Sequence, residues 1–447
     1  MNKSENPMKS KAILPLLLSM AIPPMISMLI QSLYNIVDSI FVAQMGEKAL
    51  TAVSLVFPLQ NVVSAVAIGF GVGINSCIAI NLGADNKENV NKAAAHGIVL
   101  TLIHAFIFII AGIFLTKPFL RLFTSDEEIF KWGYQYAVIV MCFSIGVLYQ
   151  LVYEKIYQAM GNMILPMILQ ITGCVINIIL DPIFIFGKLG FPAMGVVGAA
   201  VATIIGQMSP FIIFAMIFRK NNHGIEISIK GFKFDKEIIK RLYSVGLPSS
   251  IMMALPSVLV SVLNGILVTL SQSAVAFLGI YFKLQTFIYM PANGLIQGMR
   301  PIIGYNYGAC EKERMIKTIK TSLAVVAVIM AAGTVISMVY PEYILKMFNA
   351  ENELLEIGVS ALKIISIGFI FSSISVVFSG AFEGMGEGVK SLAITLLRQL
   401  IVIIPIASIM AKIFGINGVW MAFPISEILT MISAIFFMKS NLKSILE

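Results

Sequence analysis

Residues 31–60 read QSLYNIVDSIFVAQMGEKALTAVSLVFPLQ, and their pattern indicates the class of fold most directly. The stretch joins the end of one long apolar segment to the start of another through a short polar turn, Gln44 to Lys48. An apolar segment of about 18 or more residues is long enough to cross a bilayer as a helix. The first segment holds the carboxylate of Asp38, and an ionisable group in hydrocarbon indicates a functional site by default.

The composition extends this pattern to the whole chain. Of its 447 residues, 58% are hydrophobic and 12% are charged, whereas a soluble domain has about 25% charged residues. The sequence therefore predicts an all-α polytopic membrane protein. Basic loops on one side of the membrane explain the net charge of +8 better than nucleic-acid binding does. The four cysteines form no CxxC pair, so no metal, disulfide or organic cofactor is expected.

Hydropathy predicts twelve transmembrane helices with both termini on one side. The loops on that side hold 19 Lys and Arg residues and the opposite loops hold 7, so both termini are predicted to be cytoplasmic in the cell membrane. The first span lacks a small-residue cleavage site and is expected to be retained. The predicted spans are about 13–42, 50–80, 93–115, 131–158, 162–186, 193–218, 244–269, 274–303, 316–340, 355–382, 388–411 and 416–437.

The chain also repeats itself at a constant offset in residue number. For example, NLGA at 81–84 corresponds to NYGA at 306–309, and the same offset relates Met160-Gly161 to Met385-Gly386. The repeat predicts two six-helix lobes with the same orientation, an architecture of transporters that bind substrate at the interface of the repeats. The predicted parts are an N-lobe, a cytoplasmic linker loop and a C-lobe, at residues 1–218, 219–241 and 242–447.

Two carboxylates lie at similar predicted depth in the N-lobe. Asp38 is about 25 residues into the first span and Asp181 about 19 residues into the fifth. Asn177 precedes Asp181 by one helical turn and faces the same way, and Thr203 of the sixth span reaches a comparable level. These oxygens suit a hard cation such as Na⁺, and a close, poorly solvated carboxylate pair suits a proton. The residues leave both ions open.

A structural interpretation of these carboxylates is the alternative. Asp181 would end the fifth span in a turn, and Asp38 would cap a kink. Against it, the residues at the matching positions of the second repeat are Leu263 and Ile406. Because the second lobe lacks the carboxylates, the fold itself does not require them.

Other candidate residues lie along the spans. Pro23 and Pro24 precede Asp38 by about four turns, and proline bends a helix by removing a backbone hydrogen bond. We expect a bend that follows the ion state of Asp38, with a static kink as the alternative.

Arg398 and Glu427 are predicted to form a structural ion pair. The candidate substrate-cavity residues offer polar, aromatic or adaptable contacts: Gln31, Tyr34, Asn35, Met253, Asn264, Tyr281 and Lys283.

Four further charged residues stand near the predicted cytoplasmic ends of spans. Glu154, Lys155 and Glu383 are expected to snorkel, since a long side chain near a span end can carry its charge to water. Arg300 lies close to the inner end of the eighth span. No role at the cation site is predicted for these residues.

Over residues 12 to 440 the chain resembles the multidrug and toxic compound extrusion (MATE) family, and within it the MepA-like branch near the DinF group. The resemblance implies an antiporter, not an enzyme, that exports amphipathic, often cationic compounds in exchange for inward H⁺ or Na⁺. The stretches that carry it are YNIVDSIFVAQMGEKALTAVSLVFP (34–58), GVGINSCIAINLGADNKENV (71–90), QAMGNMILPMILQITGCVINIILDPIFIFG (158–187), GAAVATIIGQ (198–207), MPANGLIQGMRPIIGYNYGA (290–309) and LLRQLIVIIPIA (396–407).

The resemblance also assigns roles to residues. In the family, an acidic residue on helix 1, an Asn…Asp pair on helix 5 and a Thr on helix 6 form the N-lobe cation site, and the helix 1 proline falls at Pro23 or Pro24. The sodium-coupled branch carries a Glu on helix 7 after Gly-Leu-Pro, where this chain has Pro256. That departure favours the N-lobe site and, slightly, proton coupling. The residues at the matching N-lobe positions are Asp38, Asn177, Asp181 and Thr203.

The principal alternative function is a lipid-linked precursor flippase of the wider superfamily. Such proteins often carry extra spans or a strongly basic central cavity, whereas this chain has twelve predicted spans and about four interior cations. A membrane enzyme is disfavoured because no HExxH or GxSxG motif occurs. A channel is disfavoured because a two-lobe repeat suits alternating access. The expected partners are small amphipathic molecules and the bilayer, with the protein a monomer.

Overall fold

The structure, a computed structural model, describes residues 6–220, 225–227 and 231–446. Within these ranges the chain is helical and contains no strand. Part of the predicted linker loop, residues 221–224 and 228–230, lies outside the described residues. The first helices are α1 Pro7–Ser10, α2 Ile13–Ala43, α3 Glu47–Gly83, α4 Lys87–Phe114, α5 Thr116–Arg121, α6 Glu127–Cys142, α7 Ile145–Ala159, α8 Ile164–Phe186 and α9 Val196–Lys220.

The second half of the chain begins with the same order, three long helices followed by one of six residues. It contains α10 Lys236–Leu267, α11 Gln272–Gly308, α12 Lys312–Val339, α13 Pro341–Lys346, α14 Asn352–Gly384, α15 Gly388–Leu396, a π-helical segment Leu397–Ile401, α16 Ile403–Phe414 and α17 Ile416–Leu446. A π-helical turn holds one extra residue and is frequent at functional sites. Hydrophobic periodicity did not predict this segment.

The number of membrane spans agrees with the prediction. Among the described residues, eleven helical stretches are long and apolar enough to cross a membrane. The pair α6 and α7, bent by 42° at their junction, brings the number to twelve when it is counted as one span. The all-α polytopic class is therefore confirmed. The break within the fourth span, around Phe143, was not predicted.

The chain divides into two compact units. The C-unit consists of Met1–Met25 and Ile251–Glu447, and the N-unit of Ile26–Ser250. The divisions fall inside α2 and α10, and they are separated by the same offset as the sequence repeat. The lobe boundaries at 218 and 242 describe the sequence repeat and stay a prediction.

Close helix contacts explain why the first half of α2 belongs to the C-unit. There α2 passes so near α11 that a Cβ on Gly298 would lie 2.7 Å from the backbone oxygen of Met20. In the N-unit, α10 passes α3 in the same way, and a Cβ on Gly73 would lie 3.0 Å from the backbone nitrogen of Gly246. Gly73 and Gly298 occupy matching positions of the two repeats, so the repeat is present in the packing as well as in the sequence.

Candidate ion-coupling site in the N-unit

Helix α8 carries Asp181 in its interior. Asp181 is fully buried and Asn177, one turn earlier, is 2% exposed. The helix continues past Asp181 and Pro182 to Phe186, and it ends at Gly187, whose φ of +71° suits a residue without a side chain. Asp181 therefore does not end the span, contrary to the structural interpretation of this residue.

The carboxyl groups of Asp38 and Asp181 face each other within hydrogen-bonding reach. Asp38 lies on the half of α2 that belongs to the N-unit. Its Oδ1 and both carboxyl oxygens of Asp181 are buried and receive no hydrogen bond from an N–H or O–H group of the other described residues. Ionised carboxylates have no donor to offer each other. A proton or a cation at the pair would satisfy these oxygens.

Asn177 and Thr203 carry the neutral side-chain oxygens that were predicted for the site. The amide of Asn177 is buried, and neither its Oδ1 nor its Nδ2 has a hydrogen-bond partner among the described residues. The hydroxyl of Thr203, on α9, donates to the carbonyl of Ala199 at 2.9 Å, which leaves its oxygen free to accept. Close packing joins the two helices, since a Cβ on Gly206 would lie 2.9 Å from Cβ of Asn177.

Tyr136, which the sequence analysis missed, joins these groups. It is 2% exposed on α6, and its hydroxyl lies within hydrogen-bonding reach of Thr203 and 3.3 Å from Nε2 of Gln60. It also interacts electrostatically with Asp38 and Asp181. A phenol in an apolar helix needs a polar partner when buried. The partners of Tyr136 lie on other helices, so its own stretch of sequence does not indicate them.

Two residues predicted for the substrate cavity lie beside this site. Tyr34 interacts electrostatically with both carboxylates. The side-chain carbonyl of Gln31 accepts a hydrogen bond from Gln170 of α8, which in turn accepts one from Gln150 of α7 at 2.5 Å. A chain of amides thus ties the second half of α2 to two neighbouring helices. The third residue predicted on this half of α2, Asn35, is exposed.

The prolines of α2 lie where the helix passes from one unit to the other. Pro23 and Pro24 are inside the helix, and the division between the units follows Met25. Each proline removes a backbone hydrogen bond from this segment. The predicted response of this segment to the ion state of Asp38 stays a prediction.

The C-unit holds the remaining candidates. Nε of Arg398 donates to Oε1 of Glu427 at 2.7 Å, and Nη2 donates to the hydroxyl of Tyr289 at 3.0 Å. The predicted partners are therefore in contact within the unit, and Arg398 belongs to the π-helical segment. Of the predicted cavity residues, Tyr281 is 1% exposed among aromatic rings, Oδ1 of Asn264 is buried without a partner among the described residues, and Met253 and Lys283 are exposed.

The predicted snorkelling of charged residues near span ends is wrong. Lys155 is 4% exposed, and its Nζ lies 2.9 Å from Oε1 of both Glu154 and Gln158. Nη2 of Arg300 lies 2.5 Å from Oε2 of Glu383, which is 3% exposed. Opposite charges and amide oxygens are available within each unit, so these side chains pair inside the protein instead of extending to water.

The comparisons with known proteins agree with the repeat. A family model described as MatE matches residues 23–183 and 248–409, and the starts of the two matches are separated by the repeat offset. The multidrug export protein MepA of Staphylococcus haemolyticus is 28% identical over 433 residues, which cover 97% of this chain and 94% of that protein.

Solved structures show the same fold. Two structures of MATE, one in a bent and one in a straight conformation, superimpose with TM-scores of 0.90 and 0.89 at 27% identity. Both alignments cover 96% of this chain, with 95% and 96% of the respective solved chains. Because the family model matches most of the chain in two repeats, the protein belongs to the MATE family, as its sequence motifs indicated.

Proposed function

We propose that this protein is a multidrug efflux antiporter that exports amphipathic, often cationic compounds in exchange for inward H⁺, with Na⁺ as the alternative ion. The observation that carries the proposal is the facing pair of Asp38 and Asp181, whose buried oxygens receive no hydrogen bond from the other described residues. A site that needs a proton or cation is suited to couple its uptake and release to transport. The relation to the staphylococcal multidrug export protein supports the substrate class.

The geometry of the pair favours H⁺ over Na⁺. Two carboxyl groups within hydrogen-bonding reach can share one proton directly. For Na⁺, the side-chain oxygens of Asn177 and Thr203 would complete the shell of ligands.

Coupling requires that the ion state change the protein. In our proposal the second half of α2, which carries Asp38, moves about Pro23 and Pro24, and the amide chain from Gln31 to Gln150 breaks and re-forms. The bent and straight conformations solved for similar MATE structures support a bending step. The substrate-cavity residues would then face alternate sides of the membrane.

The proposal also covers the oligomeric state, the membrane location and the cofactor requirement of the protein. The protein would act as a monomer in the cell membrane with both termini cytoplasmic. It would carry out no chemical conversion of its substrate and would need no bound cofactor other than the coupling ion.

Transport by purified protein in liposomes tests the proposal. A fluorescent lipophilic cation is followed under an imposed pH gradient and then under a Na⁺ gradient, with Asp38→Asn as the variant. Asp85→Asn is the matched control, because Asp85 is exposed and its φ of +53° is one that Asn tolerates. We expect transport under the pH gradient, loss to the level of empty liposomes in Asp38→Asn, and unchanged transport in the control.

The other outcomes are equally definite. Transport under the Na⁺ gradient alone would keep the site and change the ion. Full activity of Asp38→Asn would remove this carboxylate from the coupling step. No transport under either gradient would contradict the antiporter and lead to assays with lipid-linked precursors.

A further inference from the structure

An open groove lies between α2 and α12 in the C-unit. Its volume is about 510 Å³. The walls are apolar, and Lys320 and Thr321 lie at the end nearest the start of α12. The residues that line it are Leu14, Lys320, Thr321, Ala324, Val325 and Val328.

In the N-unit the equivalent helix face is covered by the chain itself. The counterpart of Thr321 in the first repeat is His96 of α4, which is 2% exposed. The rings of Phe232 and Phe234 pack on the imidazole of His96 with centroid distances of 4.7 and 6.3 Å. Asp235 donates its backbone N–H to Nε2 of His96 at 2.8 Å, and its carboxylate lies 3.6 Å from Nζ of Lys92. The cover consists of two apolar rings followed by one anion.

At the matching positions, the corresponding segment of the C-unit has neither the two rings nor the acid. Pro7, Lys9 and Ser10 stand where the N-unit has Phe232, Phe234 and Asp235. The segment is held in place, because Nη2 of Arg314 donates to the carbonyls of Met8 and Lys11 at 3.1 and 2.8 Å. It brings neither aromatic rings nor a carboxylate to α12, and this difference explains the open groove.

Two lysines of this face have no anionic partner within residues 6–220, 225–227 and 231–446. Lys317 is the counterpart of Lys92, and Lys320 lies one turn further along the same face of α12. Both are exposed, and neither has an acidic partner among the residues that the structure describes. Residues 6–14 and 311–328 together hold six basic and two acidic side chains, so the surroundings are positive as well.

We propose that this groove binds an anionic glycerophospholipid. An acyl chain would lie along Leu14, Ala324 and Val328, and the headgroup phosphate would pair with Lys317 and Lys320. The lipid thereby supplies in the C-unit what the two rings and Asp235 supply in the N-unit. Basic pockets between helices are a known mode of anionic lipid recognition. Because the groove lies on both helices, the bound lipid braces the first half of α2 against α12.

Lipid binding to the purified full-length protein tests this assignment without any transport assay. Delipidated protein in detergent is titrated with dioleoylphosphatidylglycerol, with dioleoylphosphatidylcholine, and with inorganic phosphate, and bound lipid and Tm are followed by native mass spectrometry and thermal unfolding. We expect retention of the anionic lipid and a higher Tm, with much weaker effects of the other two. Lys317→Gln and Lys320→Gln should each weaken retention about fivefold, whereas exposed Lys412→Gln should not.

Two further variants keep the lysines and change the groove. Ala324→Phe fills it and should reduce retention of the anionic lipid. Ser10→Asp restores the acid found at Asp235 and should reduce the effect of the lipid on Tm by pairing with Lys317. Equal retention of the two lipids, the same Tm increase with phosphate alone, or no change in either lysine variant would overturn the proposal.

Discussion

Arg398 and Glu427 are charged residues that pair with each other inside the C-unit. Breaking a buried pair by removing one partner costs about 3–5 kcal/mol, because the other charge stays buried without compensation. We therefore predict that Arg398→Met and Glu427→Met each lower Tm strongly, and that the double variant recovers most of the loss. Thermal unfolding of the purified variants in one detergent provides the measurement. A double variant no more stable than the weaker single variant would contradict a structural role.

Some site residues could be predicted from the sequence one residue at a time. Asp38 and Asp181 were found from their rarity and depth in apolar spans, and Asn177 from its spacing of one helical turn. Tyr136 could not be found in that way, because its role depends on Thr203 and Gln60 on two other helices. A buried tyrosine by itself is an ordinary core residue.

At the scale of helices, α11 approaches α2 closely at Gly298, and α3 approaches α10 closely at Gly73. Adding a methyl group at Gly298 or Gly73 would press on the backbone of α2 or α10, and overpacking of this kind typically costs about 1–3 kcal/mol. We predict that Gly298→Ala and Gly73→Ala both lower Tm. Gly279→Ala is the control, since nothing lies within 4 Å of a Cβ there, and it should be neutral or stabilising. Equal Tm values for all three would refute the tight contacts.

The start of α6 depends on a single acid outside the membrane spans. Oδ1 of Asp126 accepts hydrogen bonds from the backbone N–H groups of Glu128 and Ile129, and its carboxylate lies 3.0 Å from Nζ of Lys48 on α3. The N–H of Ile129 and then Lys48 lower the pKa of Asp126. A lowered folded-state pKa gives stability that is present above the unfolded value, about 3.9, and lost as the pH falls further.

The lowered pKa of Asp126 leads to a prediction for Asp126→Asn, a variant that keeps a capping oxygen and removes the charge. Wild type should have the higher Tm near pH 6, and the difference between the two proteins should shrink toward pH 3. Thermal unfolding at several pH values in one detergent measures it. A difference that stays constant over this range would show that the charge of Asp126 contributes nothing.

At the scale of the whole molecule, the orientation in the membrane is a prediction from basic loops. Cys310, between α11 and α12, is exposed, whereas Cys77 and Cys174 are buried. A membrane-impermeant thiol reagent should therefore leave Cys310 unlabelled in intact cells and label it after permeabilisation. Lys188→Cys, in the exposed loop between α8 and α9, should label in intact cells. The reverse pattern would place both termini outside the cytoplasm.

The sequence alone determined the membrane class, the number of spans, the internal repeat and the positions of the two carboxylates. These properties follow from hydropathy and spacing along the chain, which no distant contact alters. The folded structure was needed to show that α2 and α10 are each divided between the units, that Glu383 pairs with Arg300, and that the groove beside Lys320 is open. Each of these features depends on residues that are far apart in sequence and meet only in the folded protein. The partners of Lys155 are near it in sequence, but its burial depends on the helices packed around it.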